Sequence, residues 1–249
     1  MPSVSGWLAQ LPSRARAVRG GLSPVSALKI AVGRHDDVRL RGMRLRGPSA
    51  RGVANTAVEI AAGEYVAPGF EISPGERVVD CGANVGAFAV WAAVTGASVD
   101  AYEPHPLTFE WLERNTADLP VRCVRAAIVA EAPVDGTVGL RVDPGADTHN
   151  SLGGGGPSID VPAVTLATAI GDGCDLLKLD CEGAEFDLIA GTADEALTRA
   201  RRIACEIHDW IGDPAAIECR LRDLGFEVNR ADKGQGLSLL FALRRDRSH

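Results

Sequence analysis

A chain of 249 residues with 46% hydrophobic and 24% charged side chains can build one large α/β domain and falls outside the disordered class. Its formal net charge of −7 is unevenly placed: residues 1–55 hold ten Lys/Arg against two Asp/Glu, and the remainder is strongly acidic. The apolar runs are too short to span a bilayer, residues 1–27 lack the apolar stretch of a secretory signal, and the cysteines (81, 123, 174, 181, 205 and 219) form no C-x-x-C. A cytoplasmic protein without membrane span, zinc knuckle or thioredoxin-type centre is expected.

Residues 1–55 read as a basic N-terminal arm and residues 56–249 as the main domain. As a functional surface the arm would take RNA, a membrane or an acidic partner. Beyond Trp7 no aromatic residue interleaves its arginines as a base-stacking platform, so nucleic acid is not favoured. The arm is expected to lie on the acidic body of its own subunit, or of a sister subunit in a homo-oligomer. Within it, residues 38–45 alternate Arg with apolar residues, as an exposed strand does.

Residues 56–64 read as a short helix ending near Gly63. Ser73-Pro74-Gly75-Glu76 is a turn that launches a buried strand over 77–81. That strand runs into Asp80-Cys81-Gly82-Ala83-Asn84-Val85-Gly86, after which a helix over 87–95 is closed by Gly96. A second strand, 98–103, ends in Glu103. Glycines at such a turn let the backbone approach a ligand, and a carboxylate at the next strand tip can accept hydrogen bonds from both ribose hydroxyls of a nucleoside. A dinucleotide site wants G-x-G-x-x-G, but Asn84 stands where the second glycine would admit the pyrophosphate. The pattern suits S-adenosylmethionine, a nucleoside with an amino-acid tail and no phosphate.

Pro106 can open a helix reaching 117, followed by a third strand at 121–126 and an extra, non-core strand at 138–142. Residues 143–158 contain four consecutive glycines, 153–156, and read as a lid or a mobile excursion, with Asn150 and Ser151 placed to touch an acceptor if it closes. A strongly apolar strand at 174–180 leads into Glu182-Gly183-Ala184-Glu185, which opens a helix. Residues 202–207 form a strand ending in Glu206-Ile207-His208, and Asp213-Pro214 caps a helix that stops before Gly225. Strands at 226–229 and 237–243 flank a turn and close the chain as a hairpin.

Open α/β sheets bind ligands beyond the carboxyl ends of their strands, where Asp80, Glu103, the 178–185 block and the 206–208 block all fall. Alternation sends Lys178, Asp180 and Glu182 toward one face, and Glu206 with His208. A buried Lys178 needs a carboxylate, and an ion pair with Glu185 would fix the turn. Methyl transfer to oxygen asks the protein to align the acceptor and take its proton. His208 is the expected base because its intrinsic pKa lies near the working pH, with Asp180 orienting it or holding the acceptor hydroxyl and Glu206 alongside. Asp180, Glu206 and His208 can instead bind a hard divalent cation, although their spacing matches no closed metal motif and this is not favoured.

Together the blocks Gly63-Glu64-Tyr65, Val79 to Gly86, Glu103-Pro104-His105-Pro106, Leu177 to Glu185 and Glu206-Ile207-His208 resemble the FkbM family of S-adenosylmethionine-dependent methyltransferases over residues 60–210. Lys178-x-Asp180-x-Glu182-Gly183-x-Glu185 is the specific part. The resemblance implies a Rossmann-like class I methyltransferase fold, with a seven-stranded, mostly parallel sheet closed by a C-terminal antiparallel hairpin. It implies that Asp80, Gly82, Asn84, Gly86 and Glu103, with Tyr65, carry the cofactor. It further implies O-methylation of a hydroxyl on a small natural product or sugar, with Glu182 beside Asn150 and Ser151 at the acceptor. One departure stands out: Thr165-Leu166-Ala167 occupies a place where the family often has Thr-Leu-Asp. The alternatives are an RNA methyltransferase gripping through the basic segment and a non-catalytic cofactor- or partner-binding domain of the same fold.

Overall fold

The computed structural model describes residues 16–35, 37–142, 151–152 and 157–244. Ser23 caps helix α1 (Pro24–Ala31) by accepting the Ser26 N–H at 3.0 Å, and Pro24 takes a first-turn position where its missing donor costs nothing. Where one exposed strand was expected at 38–45, the chain forms a hairpin of β1 (Val38–Leu40) and β2 (Met43–Leu45). Arg41 and Gly42 turn it with positive φ of 48° and 85°. The alternation held, but it buries Val38, Leu40 and Leu45 rather than leaving a free strand. Helix α2 (Ala50–Ala62), capped by Ser49, runs across residue 55 without a break. Ala17, Leu22 and Leu40 share one core with Ala57 and Phe88, so the described part of the basic segment is packed into the body of its own subunit. Asn115 fastens it further, accepting the Arg46 N–H at 3.0 Å and donating to the oxygens of Arg46 and Val85 at 2.7 and 2.8 Å.

The main sheet grows from β3 (Arg77–Cys81), and α3 (Ala87–Ala93) leads from it to β4 (Ser98–Tyr102). Helix α4 (Pro106–Thr116) then leads to β5 (Val121–Val124). His105 caps α4 through Nδ1, one residue ahead of the expected proline start. An inserted block follows: β6 (Ala127–Val129), β7 (Thr137–Arg141), β8 (Ser151–Leu152), β9 (Ser158–Thr165) and α5 (Leu166–Ile170). The sheet resumes with β10 (Leu176–Leu179), α6 (Glu185–Gly191), α7 (Asp194–Leu197), β11 (Arg202–His208) and α8 (Pro214–Asp223), and ends in β12 (Phe226–Gly234) and β13 (Leu237–Arg244).

Strand order is β12-β13-β11-β10-β3-β4-β5, parallel from β11 through β5 and antiparallel where β13 joins. This is the expected seven-stranded methyltransferase sheet with its closing hairpin. Alternation along buried strands makes two cores from one sheet. Val78, Leu176 and Ala204 face α2 and α3, while Val79, Leu177 and Ile203 face α6 and α8. Fully burying each such Leu or Ile contributes about 1.5–3 kcal/mol.

The inserted block was not foreseen as a sheet. Residues 121–126 do not form one strand: the chain leaves the main sheet after Val124, and β6 pairs with β9 in a four-stranded sheet of order β6-β9-β7-β8. Residues 143–150 and 153–156, which include Asn150 and the glycine run, lie outside the described residues. All six cysteines are free thiols. Among the described residues no helix is long and apolar enough to cross a membrane.

Candidate active site

The chain moves outward from β3 through β4 and β5 on one side and from β10 through β11 on the other, so β3 and β10 flank the switch point where such sheets bind ligands. Their turns touch. Gly82 has φ 77°, and a Cβ there would lie 1.8 Å from the Asp180 backbone oxygen. Lys178 sits between them, 3% exposed, with Nζ donating to the Gly82 oxygen at 2.8 Å and lying 3.0 Å from Asp80 and 3.5 Å from Asp180. Burial disfavours charge on Lys178, yet Asp80 and Asp180 hold its pKa above the ordinary lysine range. Burial pushes the fully covered Asp80 carboxyl upward, against the pull of Lys178.

The five backbone N–H groups of the glycine turn are all taken by partners within the protein. Gly82 and Ala83 donate to the Tyr102 oxygen, Asn84 to Glu103, Val85 to the Asn84 side chain and Gly86 to the Ala83 oxygen. No nest of free donors is left for a pyrophosphate. Glu103 accepts from Asn84 and His105 at 3.0 and 2.9 Å while lining the cavity, so its carboxylate is oriented by the backbone toward a ribose-like partner. Burial raises its pKa to about 7, although those two N–H groups oppose the shift. A phosphate-free nucleoside fits this turn. Glu103→Gln is expected to weaken S-adenosylmethionine binding about 10- to 100-fold, the worth of charge-assisted hydrogen bonds; an unchanged calorimetric Kd would reassign Glu103 to shaping the turn.

The Lys-x-Asp-x-Glu-Gly-x-Glu block has a physical logic. Lys178 joins the two turns, and Asp180 accepts the Tyr65 hydroxyl at 3.0 Å. Glu182 takes φ 52°, and Glu185, fully buried, accepts the N–H groups of Cys181 and Gly183 at 2.6 and 3.0 Å. Glu185 therefore clips its own turn, and Lys178 pairs with Asp80 and Asp180 rather than with Glu185. The remaining bond of Glu185 goes to His208 Nδ1 at 3.2 Å, and His208 Nε2 lies 3.5 Å from Glu182.

This environment alters the expected role of His208. Burial opposes its charge, but the bonds to Glu182 and Glu185 outweigh burial and raise its pKa to about 10. The ring is protonated near neutrality, so it is not poised as a base. Asp180, Glu206 and His208 can each bring one ligand atom within 4.8 Å of the others, but a cation there would have to displace the His208 proton. Because the folded pKa is raised from 6.5 to about 10, His208 stabilises the fold fully below about pH 6.5, and that contribution fades as pH rises through 10. Its size is on the order of 3–5 kcal/mol. His208→Gln is expected to flatten the fall in melting temperature over that window; an unaltered slope would point to another group.

A cavity of about 240 Å³ opens over the two turns. Gly82, Asn84 and Glu103 line it together with Tyr65, Asp180, Glu182 and Glu206. Tyr65 is buried, edge-on to Phe88 at 5.4 Å. Lys233 lines the same cavity, pairing with Glu64 and with Glu206 at 2.6 Å. Burial and the nearby Asp180 raise the Glu206 pKa to about 7, with Lys233 opposing.

Three expected site residues stand behind the wall. Asp80 acts through Lys178; Gly86 begins α3 with φ 88°, and a Cβ there would meet the Leu112 side chain at 2.8 Å; His208 braces Glu182 and Glu185. Ser151 lies in β8 opposite Arg141, and Asn150 falls outside the described residues. Sequence reasoning missed Lys233, the α2 residues Thr56, Glu59 and Ile60, and the wall formed by Ala127, Ile128 and Leu140. Only the alternation of 138–142 offered a signal for any of these.

The profile of the FkbM methyltransferase domain matches residues 80–228, more than half of the chain. The chain belongs to the FkbM methyltransferase family. Among its FkbM-like relatives, the 31-O-demethyl-FK506 methyltransferase FkbM of Streptomyces tacrolimicus is 30% identical over 201 residues, covering 66% of this chain and 77% of that one. Methyltransferase sdnD of Sordaria araneosa is 27% identical over 192 residues, covering 61% and 74%. The METTL16 methyltransferase domain superposes with a TM-score of 0.53 at 15% identity, covering 98% of this chain and 92% of that domain, a likeness of fold alone. As an FkbM family member the protein is an S-adenosylmethionine-dependent methyltransferase.

Proposed function

We propose that the protein methylates a hydroxyl of a small natural product or sugar, with Glu206 as the base and Asp180 as the group that holds the acceptor hydroxyl. The observation that carries this reading is the shared cavity: Glu103 and the glycine turn line the same space as Asp180 and Glu206. S-adenosylmethionine supplies an already activated methyl group, so the protein's task is alignment and proton removal. A carboxylate with a pKa near 7 is a stronger base than an ordinary glutamate and is still ionised in half or more of the molecules at neutral pH. Tyr65 fixes one oxygen of Asp180, and Lys233 fixes Glu206. The protonated His208 steadies Glu182 at the cavity wall. The Streptomyces relative is a 31-O-demethyl-FK506 methyltransferase, which supports an oxygen acceptor.

The test is formation of S-adenosylhomocysteine with a panel of hydroxyl-bearing macrolactones and sugars, comparing wild type with Glu206→Gln. Turnover should rise with pH through about 7 in the wild type. Glu206→Gln should lose that limb and about 10²- to 10⁴-fold in rate, with cofactor affinity intact. A variant as fast as wild type would exclude Glu206 as base, and transfer only to amines or carbon would overturn O-methylation.

A further inference from the structure

Helix α1 carries apolar side chains on its outer face as well as its inner one. Its inward face holds Ser26, 1% exposed, whose hydroxyl donates to the Asp37 oxygen and accepts the Arg39 N–H, each at 2.9 Å. Ala27 and Ile30 complete that inward face against the core. The opposite side carries Val25, Leu28 and, at the C-cap, Val32, which are 61%, 67% and 65% exposed. Their spacing of three and four residues puts them in one stripe pointing straight away from the core. A helix on a protein surface ordinarily keeps that outward side polar.

Cations border this stripe. Lys29, Arg39 and Arg44 converge on the single carboxylate of Asp37, at 3.5, 3.7 and 3.3 Å. Arg39 and Arg44 face each other directly across the β1–β2 hairpin, where like charges repel, and both are exposed. The exposed Arg34 follows the helix. Among the described residues the patch thus joins exposed aliphatic surface to the facing pair Arg39 and Arg44, on a protein whose net charge is −7.

We propose that this face docks on an anionic lipid surface. Helix α1 lies in the headgroup plane with Val25, Leu28 and Val32 dipping toward the acyl boundary, and Arg39 and Arg44 meet lipid phosphates and carboxylates. RNA would supply phosphates but nothing for the aliphatic stripe, and among the described residues of the patch no aromatic side chain can stack on a base. A second copy docked about a twofold axis would set the same positive surface against itself. The residues lining the cavity all lie from Thr56 onward, so this docking is separate from the catalytic reading.

Flotation of the full chain with vesicles of phosphatidylcholine, alone or mixed with phosphatidylserine, tests the proposal. Binding to the mixed vesicles only, lost at high salt, is the expected result. Leu28→Glu, which leaves the core untouched, and the pair Arg39→Gln with Arg44→Gln should each weaken that binding at least about tenfold. No flotation with the mixed vesicles, or flotation that Leu28→Glu leaves unchanged, overturns it. A dimer that Leu28→Glu splits in light scattering would assign the face to a second copy and overturn it as well. RNA binding abolished by the arginine pair but spared by Leu28→Glu would do the same.

Discussion

Lys178→Met is expected to destabilise the protein by about 3–5 kcal/mol and to abolish measurable S-adenosylmethionine binding. The methionine fills nearly the same volume, so the loss is electrostatic rather than steric. Asp80, fully buried, would keep its carboxylate with no cation within reach, and neither of its oxygens has another hydrogen-bond partner. The Gly82 oxygen would lose its bond to Nζ, and Asp180 its second anchor beside Tyr65. For a chain of this length the stability loss corresponds to a drop in melting temperature of about 10 °C. The double variant Asp80→Asn, Lys178→Met separates the two effects. Removing both charges should restore much of the stability, because the buried pair itself contributes little net, while the turn stays untethered and the cofactor still fails to bind. A single variant that melts like the wild type would mean that Asp80 is neutral in the folded state.

Gly82→Ala is expected to be worse, with a loss above about 4 kcal/mol and no cofactor binding by calorimetry. Two costs coincide. The residue holds φ 77°, where an alanine pays about 1–2 kcal/mol, and its Cβ would sit 1.8 Å from the Asp180 oxygen. That oxygen belongs to a backbone fixed by the Asp180 N–H on the Cys81 oxygen and by Glu185 holding the Cys181 N–H, so it cannot step aside as a side-chain tip can. The turns after β3 and β10 would have to part, which separates the glycine turn from Asp180. Normal cofactor affinity in Gly82→Ala would show that the two turns are not in contact.

The parts of this site that depend on neighbours along the chain were legible in the sequence. The glycine turn, Glu103 one strand later and the closing hairpin follow from local rules of turn chemistry and alternation, and Asn84 correctly removed the pyrophosphate. What depended on distant partners was not. His208 looked like a base because its ordinary pKa is near neutral, yet its charge is held by Glu182 and Glu185, which lie before it on another element. Lys233 looked like part of a hairpin turn; the strands run past it, and an irregularity between Asp232 and Gly234 accompanies its reach toward Glu206. The wall around Ile128 was hidden because the stretch read as one strand at 121–126 ends at Val124, and the chain then enters a second sheet, a division that composition does not mark.

Asn115 gives the basic segment a standing its charge does not suggest. One amide side chain holds the backbone of Arg46 in both directions and, with the same nitrogen, the oxygen of Val85 in the glycine turn. Opening the β1–β2 hairpin therefore removes two of the three bonds that orient the amide holding the cofactor loop, and loosening that loop removes the third. The two regions form a single cooperative unit of local unfolding. Sequence drift in the first fifty residues is thus free to remodel outward side chains, but only within the limits that keep this backbone clasp closed.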